Sequence, residues 1–360
     1  MSTQFKHMAM WTWPAAVRDE DPKRMVRRLK EAHVDIIMPY TCPQRENASL
    51  PQPYFERLHG IIGEAHRQGL KVHACFDEVN AYQDMPVYDL QQVRKDGSKA
   101  GILCHANPEV VDYVLGKLKW TLTEFEYDGI NLEDGYIFNR NTIYDPAHMT
   151  GEKYQVIPVC YCDYCRKNAP LEKPEWDPWK REQLTALVGK EAELIRKTKP
   201  GMPFSVAARM PYDLTFYAPH QKDVPYFDGW KYCQSRDVLL ADWAEWLRCG
   251  HIDFACPMSY YHSNRIVELQ TLECQHLIPA ARRKVWMGLG LNEITAEYMQ
   301  GMSDDPNTKN AKDPSLKNGA VVIESLLQDQ VRMGQENMLF FAYEHLLDEH
   351  LPVMARFRSA

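Results

Sequence analysis

Apolar positions along this chain switch repeatedly between two spacings. Short, nearly continuous apolar runs recur at 5–13 (FKHMAMWTW), 35–41 (DIIMPYT), 70–76 (LKVHACF), 127–135 (YDGINLEDG), 203–210 (PFSVAARM), 252–261 (IDFACPMSYY), 284–291 (KVWMGLGL) and 337–343 (NMLFFAY). Such runs read as buried strands. Between them lie stretches with helical spacing at 21–34, 54–69, 108–125, 179–198, 237–249, 266–280 and 319–334. The helix over 108–125 is the most regular, with Val110, Val111, Val114, Leu115 and Leu118 on one stripe. Alternating strand and helix units in this number predict a single (β/α)8 TIM barrel over residues 1–360, with an open doubly wound sheet as the runner-up.

The connections sharpen that expectation. Helix-to-strand links are tight, at 68–69, 199–202, 249–250 and 334–336, whereas strand-to-helix links are long, at 77–106, 135–178, 211–236 and 292–318. Barrels carry function on the strand-to-helix loops, so enlarged loops on one rim describe a walled cleft.

The fourth strand organises the chemistry. It opens on the Asp128-Gly129 turn, runs through Ile130 and Leu132, and stops on two acids, Glu133 and Asp134. Strand side chains alternate, so Asn131 and Glu133 share one face. Other strand-end acids are Asp77 and Glu78, Glu293 and Glu344. Cleaving a glycosidic bond takes two carboxylates, one kept protonated and one ionised. Each of these acids could instead cap a helix or sit in a loop salt bridge. Glu133 is the first choice for nucleophile or base, with Glu344 or Asp77 as general acid and Asp134 as a further candidate. Aromatic rings suit the C–H faces of sugars, and they gather at the same strand ends: Trp11, Trp13, Tyr40, Tyr260 and Tyr261. With Asn131, Arg209 and His262 they form the expected substrate-binding set.

Composition narrows the partners. The chain has 360 residues, 45% hydrophobic and 25% charged, with a net charge of −7, which argues against nucleic acid. No apolar run approaches the roughly 20 residues of a membrane span. The first residues, MSTQFKHMAMWTW, lack the apolar core of a signal peptide, so a cytoplasmic protein is expected unless a leader has been removed. Ten cysteines without framework spacing fit a reducing compartment. Self-association is open. Three cysteines form C-x-C-x-x-C at Cys160, Cys162 and Cys165, and Cys104 in the preceding loop could supply a fourth ligand. The expectation is that no cofactor is required for chemistry, with a structural zinc at these thiols.

These motifs carry a resemblance. DGINLED resembles the D-G-I-H-L-D-D strand of glycoside-hydrolase families with α-amylase- and α-galactosidase-like barrels, including the "family 10-like" and "hypothetical glycosyl hydrolase" groups. LCHANPEVVDYV is similar to their L-C-x-N-P-E-V-R helix start, CYCDYC to a C-Y-C-x-x-C loop, and IDFACPMSYY to a D-x-x-x-P-M-x-Y strand, together covering about residues 100–262. The resemblance places Glu133 and Asp134 on the paired acids. In the related amylase strand D-G-F-R-x-D, Glu133 corresponds to the nucleophile and Asn131 to the arginine. This chain departs at both positions, and the longer Glu carries its carboxylate about 1.5 Å further out. The implied function is a glycoside hydrolase acting on a small carbohydrate or oligosaccharide. The alternatives are a metal-dependent sugar isomerase or epimerase, and a non-catalytic carbohydrate-binding barrel.

Overall fold

The computed structural model describes residues 4–42, 52–77, 80–81, 83, 85–94, 96–133, 160–170, 176–211, 235–236, 239–261, 264–294 and 319–358. Among the described residues there are ten strands: β1 (His7–Thr12), β2 (Ile36–Thr41), β3 (Lys71–Phe76), β4 (Gln91–Val93), β5 (Lys99–Leu103), β6 (Gly129–Leu132), β7 (Phe204–Ala208), β8 (Phe254–Ser259), β9 (Met287–Gly290) and β10 (Asn337–Phe341). Eight of them close into a parallel barrel in the order β1-β10-β9-β8-β7-β6-β3-β2. The remaining two, β4 and β5, make an antiparallel hairpin inside the loop after β3. The barrel expected from the alternating pattern is therefore the fold. The hairpin is an addition that periodicity did not reveal, because Gln91-Gln92-Val93 carries no apolar run.

Several boundaries shift. A short helix, Pro14–Asp19, precedes the Pro22–Glu31 helix, and the helix expected over 237–249 is confined to Trp243–Arg248 within the described residues. A helix at Asp163–Asn168 falls within the loop after β6, and another, Leu351–Ala355, follows the last strand. The chain ends meet at the base of the barrel, where Phe5 N–H donates to Phe357 O at 2.7 Å. Among the described residues no helix is long and apolar enough to cross a membrane.

Alternation along the strands sorts the core into two layers. One packs between barrel and helices. The other fills the barrel interior with Ala9 and Trp11, Ile36 and Met38, Cys75, Ala207, Phe254 and Cys256, Trp286, and Leu339. Glycines in the inner set make room for large neighbours. A Cβ on Gly288 would lie 3.2 Å from the Trp11 ring, and one on Gly290 would lie 2.9 Å from Tyr260 Cβ. At Gly129 the fit is tighter still, with His73 ring atoms 2.6 Å from the Cβ position. That ring is almost wholly enclosed, and burial pulls the His73 pKa down to about 4.

Two expectations follow from this interior. Gly129→Ala should cost about 1–3 kcal/mol in urea unfolding because the added methyl collides with the imidazole. Part of that loss should be recovered in the Gly129→Ala/His73→Ala double variant, and strict additivity would contradict the collision. The second concerns acid. Folded His73 takes up a proton only near pH 4, whereas the unfolded residue does so near 6.5. The unfolded chain thus binds more protons between those values, and stability is lost as pH falls through that window. For this one group the loss is about 2 kcal/mol between pH 7 and pH 5, and it should be absent from the pH difference measured for His73→Gln.

Candidate active site

The barrel interior leads upward to the C-terminal ends of its strands. The level below the mouth is a hydrogen-bonded floor. Asn131, fully buried on β6, accepts from Trp11 Nε1 at 3.0 Å and donates through Nδ2 to Ser205 Oγ at 2.9 Å. Ser205 Oγ in turn donates to Ile130 O at 3.3 Å. Trp11 belongs to β1 and Asn131 to β6, so the bond spans the barrel interior. Asn131 is closed to solvent at 0% exposure and Trp11 is 2% exposed. The sequence suggested substrate contacts for both; the structure places Asn131 beneath the mouth, while the Trp11 ring reaches up to Phe341 at the base of the aromatic wall. An amide at this level fixes the strand and leaves no donor pointing upward.

Two residues beyond Asn131, on the same inward face, stands Glu133. It is half-buried, and its N–H donates to Phe76 O at 2.9 Å, continuing the β3–β6 ladder past the last strand residue. In that ladder Cys75 faces Asn131 and Phe76 faces Leu132, so Asp77 is the next residue alongside Glu133. Adjacent strands lie about 4.8 Å apart, which puts these two acids next to each other at the rim. Asp77 is 2% exposed and tightly held. Its Oδ2 accepts from Tyr40 Oη at 2.5 Å and from Asn80 Nδ2 at 3.0 Å. Asn80 was not singled out from sequence. Its signal is positional only, three residues beyond a strand-end acid.

Aromatic rings wall the mouth on the β1–β2 and β8–β10 sides. Trp13 packs against Tyr40 at 4.9 Å and edge-on to Phe341 at 5.5 Å between centroids. Tyr260 stacks on Phe341 at 5.1 Å, and Trp11 closes the set from below at 6.3 Å from Phe341. Phe340 is core, whereas Phe341 is half-buried and belongs to this wall. The run of apolar residues in NMLFFAY hid that difference. Arg209 is half-buried just beyond β7 on the inward parity of Ser205 and Ala207, and its carbonyl accepts from Trp243 Nε1 at 3.1 Å. Asn292 is a further polar group at the rim, with its Oδ1 2.8 Å from the Gly290 Cβ position, beside Tyr260. Tyr261 turns the other way and packs against the outer core layer. Asp134 and His262, together with Glu78, lie outside the described residues.

Glu344 departs most from expectation. Its Oε1 accepts from the N–H groups of Trp13 at 2.7 Å and Ala16 at 3.2 Å, at the N-terminus of the Pro14–Asp19 helix, whose own N-cap side chain makes no such bond. It lines a groove of about 780 Å³ with Arg24, Arg28 and Tyr343, between the first two helices and the segment after β10. Desolvation raises its pKa, opposed by the backbone amides. The sequence offered Glu344 or Asp77 as general acid, and in the closed barrel β10 does lie opposite β6. The structure gives its carboxylate a helix to cap, and the acid beside Glu133 is Asp77.

The loop after β3 and the segment returning from β6 meet at a second cluster. Cys104, Cys160, Cys162 and Cys165 bring their sulfurs within 4.8 Å of one another. Among the described residues no other group of three or more Cys, His, Asp or Glu converges in this way.

A capping role for Glu344 has a direct consequence. Glu344→Ala should lower stability by about 1–2 kcal/mol, the scale of a lost N-terminal cap, and Glu344→Gln by less because its amide oxygen still accepts. Turnover on any substrate the wild type cleaves should stay within a few-fold in Glu344→Gln, measured beside thermal unfolding; a hundredfold fall would return Glu344 to the chemistry.

Known proteins agree with this architecture. The glycoside hydrolase domain of PgaB (BpsB) from Bordetella bronchiseptica superposes with a TM-score of 0.60 at 11% identity, covering 98% of this chain and 99% of that one. A β-galactosidase from Halorubrum lacusprofundi gives 0.61 at 11% identity over 98% of this chain and 57% of that one. A chitinase from Chromobacterium violaceum gives 0.55 at 10%, over 98% of each chain. At these identities the likeness is one of fold. In sequence, glycosyl hydrolase DigH of Escherichia coli (strain K12) is 22% identical over 232 residues, 59% of this chain and 48% of DigH. The chain thus spans about half the length of the curated relatives it matches. The Glycosyl hydrolase-like 10 family matches residues 43–302, which is most of the barrel, and the chain belongs to that family.

Proposed function

We propose that this chain is a glycoside hydrolase that cleaves an oligosaccharide at the Glu133–Asp77 pair. The observation that carries the reading is their placement: two acids on adjacent strands, at one level, above a buried floor and beside an aromatic wall. A sugar ring lying on Trp13, Phe341 or Tyr260 would present its C–H face to the rings and its glycosidic bond to the acids. Glu133 keeps solvent access and has the longer side chain, so it exchanges the proton with the glycosidic oxygen and the incoming water. Asp77, fixed by Tyr40 and Asn80, supplies a preorganised negative charge facing the positive charge that develops at the anomeric carbon. With Glu133 serving both the leaving oxygen and the incoming water, the outcome is retention, whereas inversion would require Asp77 to activate a water on the opposite face of the sugar.

A metal-dependent isomerase has less support. It would need several carboxylates and histidines converging at the mouth, and among the described residues the only such convergence is of four thiols, away from the acids.

The test is hydrolysis of a panel of aryl glycosides and oligosaccharides by wild type, Glu133→Gln and Asp77→Asn. Each substitution keeps the shape and removes the charge. Both should lower kcat by at least about a hundredfold, and Glu133→Gln should leave the melting temperature nearly unchanged. Near-wild-type turnover in Glu133→Gln would overturn the reading.

A further inference from the structure

The four-cysteine cluster has geometry that free thiols do not explain. Cys104 Sγ lies 3.6 Å from Cys165 Sγ and 3.7 Å from Cys162 Sγ. A disulfide would bring a pair to about 2.05 Å, and no disulfide links the described cysteines. A tetrahedron of sulfurs with arms of about 2.3 Å has edges of about 3.8 Å, close to these separations. The cysteines come from two distant stretches, Cys104 immediately after β5 and the other three around the Asp163–Asn168 helix, so the fold has assembled them. Three are buried and Cys162 is half-buried.

The groups around the sulfurs fit anionic thiolates. Cys160 Sγ accepts from Val93 N–H at 3.1 Å and from Cys162 N–H at 3.4 Å. Amide donors of this kind stabilise metal-bound sulfur and hold its orientation. Four negative sulfurs at this spacing would repel one another strongly without a cation between them. Soft thiolates select zinc over magnesium or calcium, and a complete set of four leaves no open coordination position for substrate.

We infer that Cys104, Cys160, Cys162 and Cys165 bind one zinc ion, which locks the loops after β3 and β6 together and thereby positions Asp77. The connection runs through the hairpin. Cys104 N–H donates to Leu90 O at 2.9 Å, closing the hairpin's open end. Ile102, two residues before Cys104, bridges to Asn80, and Ala81 N–H donates to Gly101 O at 3.0 Å. Asn80 is the residue whose amide holds both oxygens of Asp77. On the other side, Tyr161 N–H donates to Val93 O at 2.7 Å, tying the segment returning from Glu133 to the same hairpin. The ion's role is structural, and it takes no part in bond cleavage.

The experiment is elemental analysis of the chain purified under reducing conditions without added metal, then again after zinc addition and desalting. About one zinc per chain is expected. A cobalt(II)-substituted sample should show thiolate charge-transfer absorption with tetrahedral d–d bands. Cys104→Ser and Cys162→Ser should each bring zinc to background. Because a variant could fail to fold, the wild-type metal count and the cobalt spectrum decide on their own. A wild-type sample far below one zinc after addition, one that holds iron instead, or one whose four thiols are alkylated as fast in the folded as in the unfolded chain, would overturn the assignment. The positioning role is read separately: in Cys162→Ser, hydrogen exchange at Asn80, Ala81 and the β4–β5 hairpin should rise at least tenfold while β7 and β8 stay protected. Unchanged exchange there would confine the ion to its own loop. None of these readouts depends on glycosidase activity.

Discussion

The hydrogen bond from Trp11 Nε1 to Asn131 Oδ1 spans the barrel interior, and the geometry of the mouth depends on it. A buried amide must have its polar atoms matched, and here they are matched by β1 on one side and by Ser205 of β7 on the other. That requirement fixes which face of β6 looks inward. A slip of one residue would bury Glu133 outside the barrel and bring Leu132 to the mouth. Gly129 serves the same end from below, since only a residue without a side chain clears the His73 ring. The position of Glu133 is thus set by the two inward residues beneath it.

Much of this was legible in the sequence, for identifiable reasons. Parallel strands buried on both faces leave short apolar runs that stand out from helical spacing, and alternation put Asn131 and Glu133 on one face. The fourth thiol was also within reach, because Cys104 lies near the end of the long loop after the preceding strand. What sequence could not supply was depth. Asn131 and Glu133 share a face, yet one is sealed and the other half-open, and the difference comes from a tryptophan 120 positions away. Glu344 shows the same limit in another form. Its strand lies opposite β6, as expected, but the chain turns sharply after Phe341, and the carboxylate ends at the first helix. Whether a strand-end acid faces a cleft or a helix N-terminus is decided by the loop that follows it.

The β4–β5 hairpin gives the two acids a common support. It is hooked to Asn80 beyond Asp77 and to Tyr161 on the way back from Glu133. Long loops are ordinarily the least rigid parts of a barrel, and the proposed catalytic pair at their base would need them anchored. The hairpin, with the proposed zinc at the cysteine cluster, would be such an anchor, built outside the packed barrel interior.

On the proposed function, carbohydrate is bound and cut at the mouth above Asn131. A crystal structure of Glu133→Gln with a bound oligosaccharide tests it most directly, because the variant keeps the cavity and should spare the ligand. A sugar ring should rest on the surface formed by Trp13, Tyr260 and Phe341, with a glycosidic oxygen within hydrogen-bond reach of residue 133 and the adjoining anomeric carbon facing Asp77. An oligosaccharide seated in the groove beside Glu344, or in the mouth with its linkage turned away from both acids, would contradict it.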